Sequence, residues 1–407
     1  MLKKEIIFAY ALKNAVEHKG KAVAGAVISG LFNHGLKKEN IKKEMPVIQK
    51  ILDDVNSMEP EEQEVLFKKY EKLIGHRKER EGLPELPNIK KGKVITRFAP
   101  SPSGALTLGH ILTIGPNFLY VKKYGGRFYI RIEDTNPDNI YKPAYKMIKN
   151  EAKWLCNNEV EIIIQSERMD LYYKYAEKLI EMGAAYVCEC DKEKFKELLE
   201  KKKACPCREL GVKEQKKRWN KMLSFDKDNY NQGEAVLRFK SDIKNKNPAM
   251  RDFPLARINT NKHPLQGNKY RVWPLMNLSV VTDDIELGIT HIIRGKDHKD
   301  NAERQRMMYK VLGKEKKFPW IGFIGRLHFT NLEMSASKIR KDIEAGKYSG
   351  WDDKRLPTAA SFKKQGYSPE VFWKYVEERG ISEADKIISK KDFFEVIDRY
   401  KKEIKGK

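Results

Sequence analysis

Two groupings in this sequence have the make-up of chemical sites. The first runs Arg97-Phe98-Ala99-Pro100-Ser101-Pro102-Ser103-Gly104-Ala105-Leu106-Thr107-Leu108-Gly109-His110. A β-rich entry, a turn shaped by proline and glycine, and a helical continuation make a strand–turn–helix. A helix start offers free N–H groups and partial positive charge to a phosphate. Gly109 lets a base or phosphate approach the backbone there, and His110 can donate to a phosphoryl oxygen as charge develops. Taken alone, the Gly-His pair fits an ordinary structural turn better. The second grouping is Cys188-Glu189-Cys190 with Cys205-Pro206-Cys207. Two close thiolate pairs meet the tetrahedral preference of a structural Zn²⁺, the alternative being reduced structural thiols. Cys156, alone in a helical pattern, reads as core.

The elements that must position these groups can be read from periodicity. Ile6, Phe8, Ala9, Leu12, Ala15 and Val16, and again Val47, Ile48, Ile51, Leu52 and Val55, recur with amphipathic helical spacing. With the Gly- and Pro-punctuated stretch Gly82–Asn88, residues 1–90 are expected to form an N-terminal helical domain and linker. From Lys93 short apolar runs alternate with helical stretches: Val94–Phe98, Arg127–Ile132 and Ile162–Ile164 read as strands. That order predicts an α/β fold with a doubly wound parallel, Rossmann-like sheet, whose first half covers 91–185 and second half 263–325. The cysteine pairs, a lysine-rich helix and Ala235–Phe239 fall in an insertion over 186–262, and residues 326–407 read as mostly helical.

Composition narrows the class. Lys and Arg number 81 against 57 Asp and Glu, a net charge of +24 in 407 residues, which attracts polyanions such as a phosphate backbone. No apolar run has the length of a membrane span, and the N-terminus lacks the pattern of a secretory signal. A cytoplasmic protein without a disulfide framework is expected.

The first string extends into an ordered series. Ile130-Arg131-Ile132-Glu133-Asp134-Thr135-Asn136-Pro137 follows it, then Gly267–Leu275, Gly288–His298 with Arg294-Gly295, Met334-Ser335-Ala336-Ser337-Lys338, and Gly350–Leu356. Together these blocks resemble the class I glutamyl- and glutaminyl-tRNA synthetases. The helical region before residue 80 looks like the N-terminal extension of the archaeal-type glutamyl enzymes. The resemblance implies ATP-dependent activation of glutamate as glutamyl-adenylate, transfer to the 3′ end of tRNA(Glu), and Mg²⁺ accompanying ATP. It implies that Thr107, Gly109, His110, Ser335, Ser337 and Lys338 face ATP, with His110 and Lys338 catalytic. Glutamate would meet Arg97, Glu133, Met276 and Arg294. Cys188, Cys190, Cys205 and Cys207 would hold zinc in an acceptor-stem-binding insertion, and 326–407 would contain the signature loop and a helical stem-contact region. Arg294 favours glutamate, although Asn136 is a variant common in glutaminyl enzymes.

Some positions depart from the pattern. Thr107 stands where the family has histidine, Met276 where it usually has tyrosine, and Glu333 where the signature loop carries lysine. The chain also ends soon after the point where the family's anticodon-binding β-barrel begins. A shortened chain or a paralog without anticodon readout would both account for this, with anticodon contacts supplied by a separate partner in one version. A paralog could glutamylate another acceptor, or bind RNA without catalysis.

Overall fold

The structure is a computed structural model that describes residues 3–18, 20–74 and 82–406. Residues 75–81, which fall in the expected first domain and linker, lie outside the described residues. The chain divides into two compact units, 1–80 and 81–407.

In the first unit, α1 (Lys4–Glu17), α2 (Ala24–Leu31), α3 (Ile41–Asn56) and α4 (Pro60–Tyr70) enclose an apolar core that includes Ile7, Leu12, Leu31, Ile48 and Val55. Each fully buried side chain of this kind contributes about 1.5–3 kcal/mol. Gln63 on α4 is also buried, and its Nε2 donates to the carbonyls of Gly20 and Val55, which satisfies the amide nitrogen inside the packing.

The second unit begins with β1 (Val94–Phe98), α5 (Leu108–Tyr124), β2 (Gly126–Ile132), α6 (Ala144–Leu155), β3 (Glu161–Ile164) and α7 (Met169–Glu181). β1 pairs with β2 and β2 with β3, all parallel. Gly126 opens β2 at φ 143°, where a Cβ would lie 1.8 Å from the carbonyl oxygen of Val94, so only glycine lets these strands meet.

A second piece follows: β4 (Ala185–Cys188), α8 (Lys192–Glu200), α9 (Val212–Leu223), β5 (Val236–Phe239), β6 (Pro254–Ile258) and β7 (Val272–Pro274). Its strands pair antiparallel in the order β4-β5-β6-β7. The fourth strand therefore lies beyond the 186–262 stretch read as an insertion.

The parallel pattern resumes with α10 (Met276–Glu286), β8 (His291–Gly295), α11 (Lys299–Val311) and β9 (Trp320–Ile324), β8 pairing parallel with β9. Thr290 joins the two parallel sheets: its N–H donates to Ile95 O at 2.9 Å, and its Oγ1 accepts from Ile95 N–H at 2.9 Å. Farther along, Asn117 of α5 bonds both backbone groups of Ile293 through its side chain, while its own carbonyl accepts from Thr96 Oγ1. β1 and β8 are thus neighbours that part toward their C-terminal ends. In open parallel sheets, such a crevice is where ligands bind.

The last stretch holds β10 (Leu327–Thr330), α12 (Ala336–Glu344), α13 (Ala359–Lys364), α14 (Pro369–Arg379), β11 (Lys386–Ser389) and α15 (Lys390–Lys405). The reading of this region as mostly helical missed β10 and β11, which pair parallel. At four residues each, they are too short to show an alternating pattern.

Candidate active site

The turn between β1 and α5 is held from several sides. Pro100 O accepts from Glu133 N–H and Pro102 O from Tyr141 N–H, which ties the turn to the end of β2. A Cβ on Gly104 would lie 2.2 Å from the ring of Trp351, so glycine admits that indole. Leu106 N–H donates to Glu151 Oε2 at 2.6 Å, Leu108 N–H to Pro357 O, and Leu106 O accepts from Ala359 N–H. The first turn of α5 is consequently fixed in place. Thr107, expected to face ATP, is 2% exposed. Its N–H donates to His110 Nδ1 at 3.1 Å. That bond places the proton of a neutral ring on Nε2, and burial pushes the His110 pKa down to about 4, so the ring is an uncharged donor at neutral pH. Gly109 is exposed, and a Cβ there would meet only Met334 Cε at 3.5 Å and Thr107 Oγ1 at 4.0 Å. Nothing in the protein requires glycine at this point, and the surface is open to a ligand.

The same contact brings the Met334 loop against the start of α5. Ser335 caps α12, its hydroxyl accepting from Lys338 N–H and lying 3.1 Å from Ser337 Oγ. The Lys338 ammonium is exposed and pairs with Glu333 Oε2 at 2.6 Å. This hydrogen bond raises the lysine pKa and lowers that of Glu333.

Beside the turn, at the C-terminal ends of β1, β2 and β8, opens a cleft of about 350 Å³ lined by Arg97, Glu133, Met276, Val280, Arg294 and His298, among others. All four residues expected to meet glutamate line it. The bidentate edge of Arg97 is already engaged, however: Nε and Nη2 donate to Asp284 Oδ1 and Oδ2 at 3.1 and 2.9 Å, which leaves Nη1 for a ligand. Arg131, fully buried on β2, donates to Asp284 at 2.6 Å and to Glu133 Oε1 at 3.1 Å. Burial opposes the Arg131 cation, but Asp284, Glu133 and Asp283 outweigh it and raise its pKa. Asp283 accepts in turn from Gln165, Arg168 and Tyr172. Glu133 thus has one oxygen held by Arg131 and the other available to a cation. Arg294 donates through Nη2 to Gln305 at 3.1 Å, and burial, reinforced by Arg97, pushes its pKa down to about 10. Met276 and Val280, one helical turn apart on α10, supply an apolar wall.

Away from the cleft, the Sγ atoms of Cys188, Cys190, Cys205 and Cys207 lie within 4.8 Å of one another. Cys188–Cys205 and Cys190–Cys207 are 3.8 and 3.9 Å apart. A tetrahedron with metal–sulfur bonds of about 2.3 Å has edges of about 3.8 Å, so this donor set fits one tetrahedral thiophilic ion. Cys156 is buried in the core at the end of α6, as its helical pattern implied.

The structure brings the sequence-read residues into one cleft, one adjoining loop and one separate thiol cluster. Sequence reading gave no role to Arg131, Asp283, Asp284, Gln305 or Glu151. Arg131 carried a signal, a cation within the apolar strand Phe128–Ile132. Asp283 and Asp284 carried another, two adjacent acids directly after the mostly apolar run Leu278-Ser279-Val280-Val281-Thr282. Gln305 and Glu151 had none, because each is a single polar residue on an otherwise ordinary helix.

No helix among the described residues is long and apolar enough to cross a membrane. Residues 93–403 match the family model of tRNA synthetases class I (E and Q), catalytic domain. A glutamate–tRNA ligase of Thermococcus onnurineus is 44% identical over 395 residues, covering 95% of this chain and 68% of the relative. One from Methanobrevibacter smithii is 42% identical over 393 residues, covering 96% and 69%. A crystal structure of a glutamate tRNA ligase from Elizabethkingia meningosepticum in complex with its amino acid aligns with TM-score 0.51 at 21% identity. That alignment covers 76% of this chain and 69% of the other, and shows a shared fold. The chain belongs to the class I tRNA synthetases of the glutamate and glutamine group.

Proposed function

We propose that this protein activates glutamate with ATP, forming glutamyl-adenylate and releasing pyrophosphate, and transfers the glutamyl group to the 3′ end of tRNA(Glu) with release of AMP. The observation that carries the reading is the charge layout of the cleft between β1 and β8. Arg294 and the free Nη1 of Arg97 suit two carboxylates, and the open oxygen of Glu133 suits an ammonium. An α-amino dicarboxylate offers those groups, and Met276 and Val280 accommodate its methylenes.

An oxygen of the substrate α-carboxylate attacks the α-phosphorus of ATP, and the bond to the pyrophosphate oxygen breaks. The chain's task is orientation and charge stabilisation. Gly109 leaves room for the nucleotide at the start of α5. His110 donates through Nε2–H without gaining charge. Lys338 exchanges Glu333 for a phosphate oxygen, with Ser335 and Ser337 shaping its loop. Mg²⁺ accompanies ATP and offsets phosphate charge. Thr107 acts through its backbone, setting the His110 tautomer.

The thiols of Cys188, Cys190, Cys205 and Cys207 would hold Zn²⁺ as a closed structural site in the 186–262 region, which we assign to the tRNA acceptor stem. The spacing of the Sγ atoms supports the ion, and the basic balance of the chain supports the nucleic acid.

The test is transfer of labelled glutamate onto archaeal total tRNA with ATP and Mg²⁺, beside a parallel reaction with glutamine. Charging with glutamate, dependent on ATP and at least about tenfold preferred, is the expected result. Incorporation of neither amino acid by folded protein would reject the reading.

A further inference from the structure

Four guanidiniums surround the floor of the cleft, and three have a carboxylate of their own. Arg97 and Arg131 share Asp284, and Arg168 holds Asp283. Arg294 is 7% exposed and makes no ion pair among the described residues. Its hydrogen-bond partner is an amide, Gln305 of α11, and its Nε is buried without any partner. Because a guanidinium only donates, the amide must present its oxygen to Arg294. Its nitrogen then faces Asn277 Oδ1 at 3.4 Å, which holds the amide that way round.

The other buried arginines are each held by several acceptors: Arg97 and Arg131 by carboxylates, Arg251 and Arg271 by backbone carbonyls, whereas Arg294 has a single amide oxygen. Gln305 anchors one N–H of Arg294 and removes none of its charge. We infer that Gln305 is a positioning residue that keeps Arg294 fixed without a carboxylate bonded to it, and so sets the preference of this site for an anionic over a neutral side chain. The inference rests on the proposed activation of glutamate and names the residue behind its specificity. Glutamate brings the carboxylate that Arg294 lacks inside the protein. Glutamine brings an amide, leaves the cation without a carboxylate in direct contact, and loses that attraction.

Charging kinetics with glutamate and with glutamine, at saturating ATP and tRNA, test this on the wild type, Gln305→Glu and Gln305→Met. Gln305→Glu supplies the missing carboxylate internally. The KM for glutamate should rise on the order of tenfold, kcat should stay within about threefold, and the glutamate-to-glutamine ratio of kcat/KM should fall about tenfold. Gln305→Met keeps the volume and removes the acceptor. Its KM for glutamate should also rise, with the ratio changed by less than about threefold, since Arg294 keeps its charge. The KM for ATP should not move in either variant. A purely structural role would lower the melting temperature and leave the ratio alone.

A Gln305→Glu enzyme that discriminates as the wild type does would overturn the inference while leaving the activity standing. Should that variant fail to fold, an unchanged glutamate KM in Gln305→Met would overturn it as well. A wild type that charges neither amino acid removes the proposed activity and this inference together.

Discussion

Glu151 lies 8% exposed behind the turn between β1 and α5, with the N–H of Leu106 as its hydrogen-bond donor. Burial raises its carboxyl from 4.5 to about 8 against the pull of that N–H. Between those values the folded protein keeps a proton that the unfolded chain has released. Stability from this group is therefore full below pH 4.5 and is lost as pH rises through about 8. The limiting slope is about 1.4 kcal/mol per pH unit. Glu151→Gln keeps an acceptor for Leu106 and cannot titrate. Its melting temperature relative to wild type should climb between pH 5 and pH 8 and then level off, whereas a constant offset would assign Glu151 an ordinary pKa. At this scale, types were easier to read than partnerships. Arg97, Glu133 and Arg294 could be named from motif blocks, but the sequence does not say that Asp284 occupies the bidentate edge of Arg97 or that Glu333 pairs with Lys338. Those contacts join residues far apart in the chain or depend on how a loop turns.

Among the elements, α10 matters most to the cleft. It brings Met276 and Val280 to the wall and the adjacent acids Asp283 and Asp284 to the floor, where they compensate guanidiniums from β1, β2 and the start of α7. Asp284 is 3% exposed, and Arg97 and Arg131 overcome the effect of burial to keep its pKa low. Removing one partner from such a network leaves charge buried without compensation. Asp284→Ala should cost about 3–5 kcal/mol of unfolding free energy, measured by denaturant titration, and should weaken glutamate binding as Arg97 and Arg131 lose their anchor. A loss below about 1 kcal/mol would mean that water reaches this floor. The parallel strands β1, β2 and β3 were legible because apolar runs bounded by turn residues announce buried strands. β7 was missed because three residues carry no period, and Asn117 because its role at the parting of β1 and β8 depends on packing between elements.

On the scale of the whole molecule, a basic chain with an excess of +24 carries an anionic-substrate cleft and a separate thiol cluster within residues 81–407. The cluster spans β4 and the turn before α9, segments that share a small apolar core of their own. A bound ion there would contribute directly to local stability. Chelation should lower the melting temperature and make the four thiols of that cluster reactive toward a thiol reagent, while the buried Cys156 stays protected until global unfolding. Four reactive thiols before chelation, with no change in melting temperature after it, would argue against a metal.

In the proposed reaction, the crevice between β1 and β8 receives glutamate and ATP together. A crystal structure of the protein with a non-hydrolysable glutamyl-adenylate analogue tests it most directly. The adenylate should lie at the start of α5 near Gly109 and His110, with the ammonium on Glu133 and the side-chain carboxylate on Arg294. An analogue bound with its side-chain carboxylate away from Arg294, or outside this crevice, would contradict it.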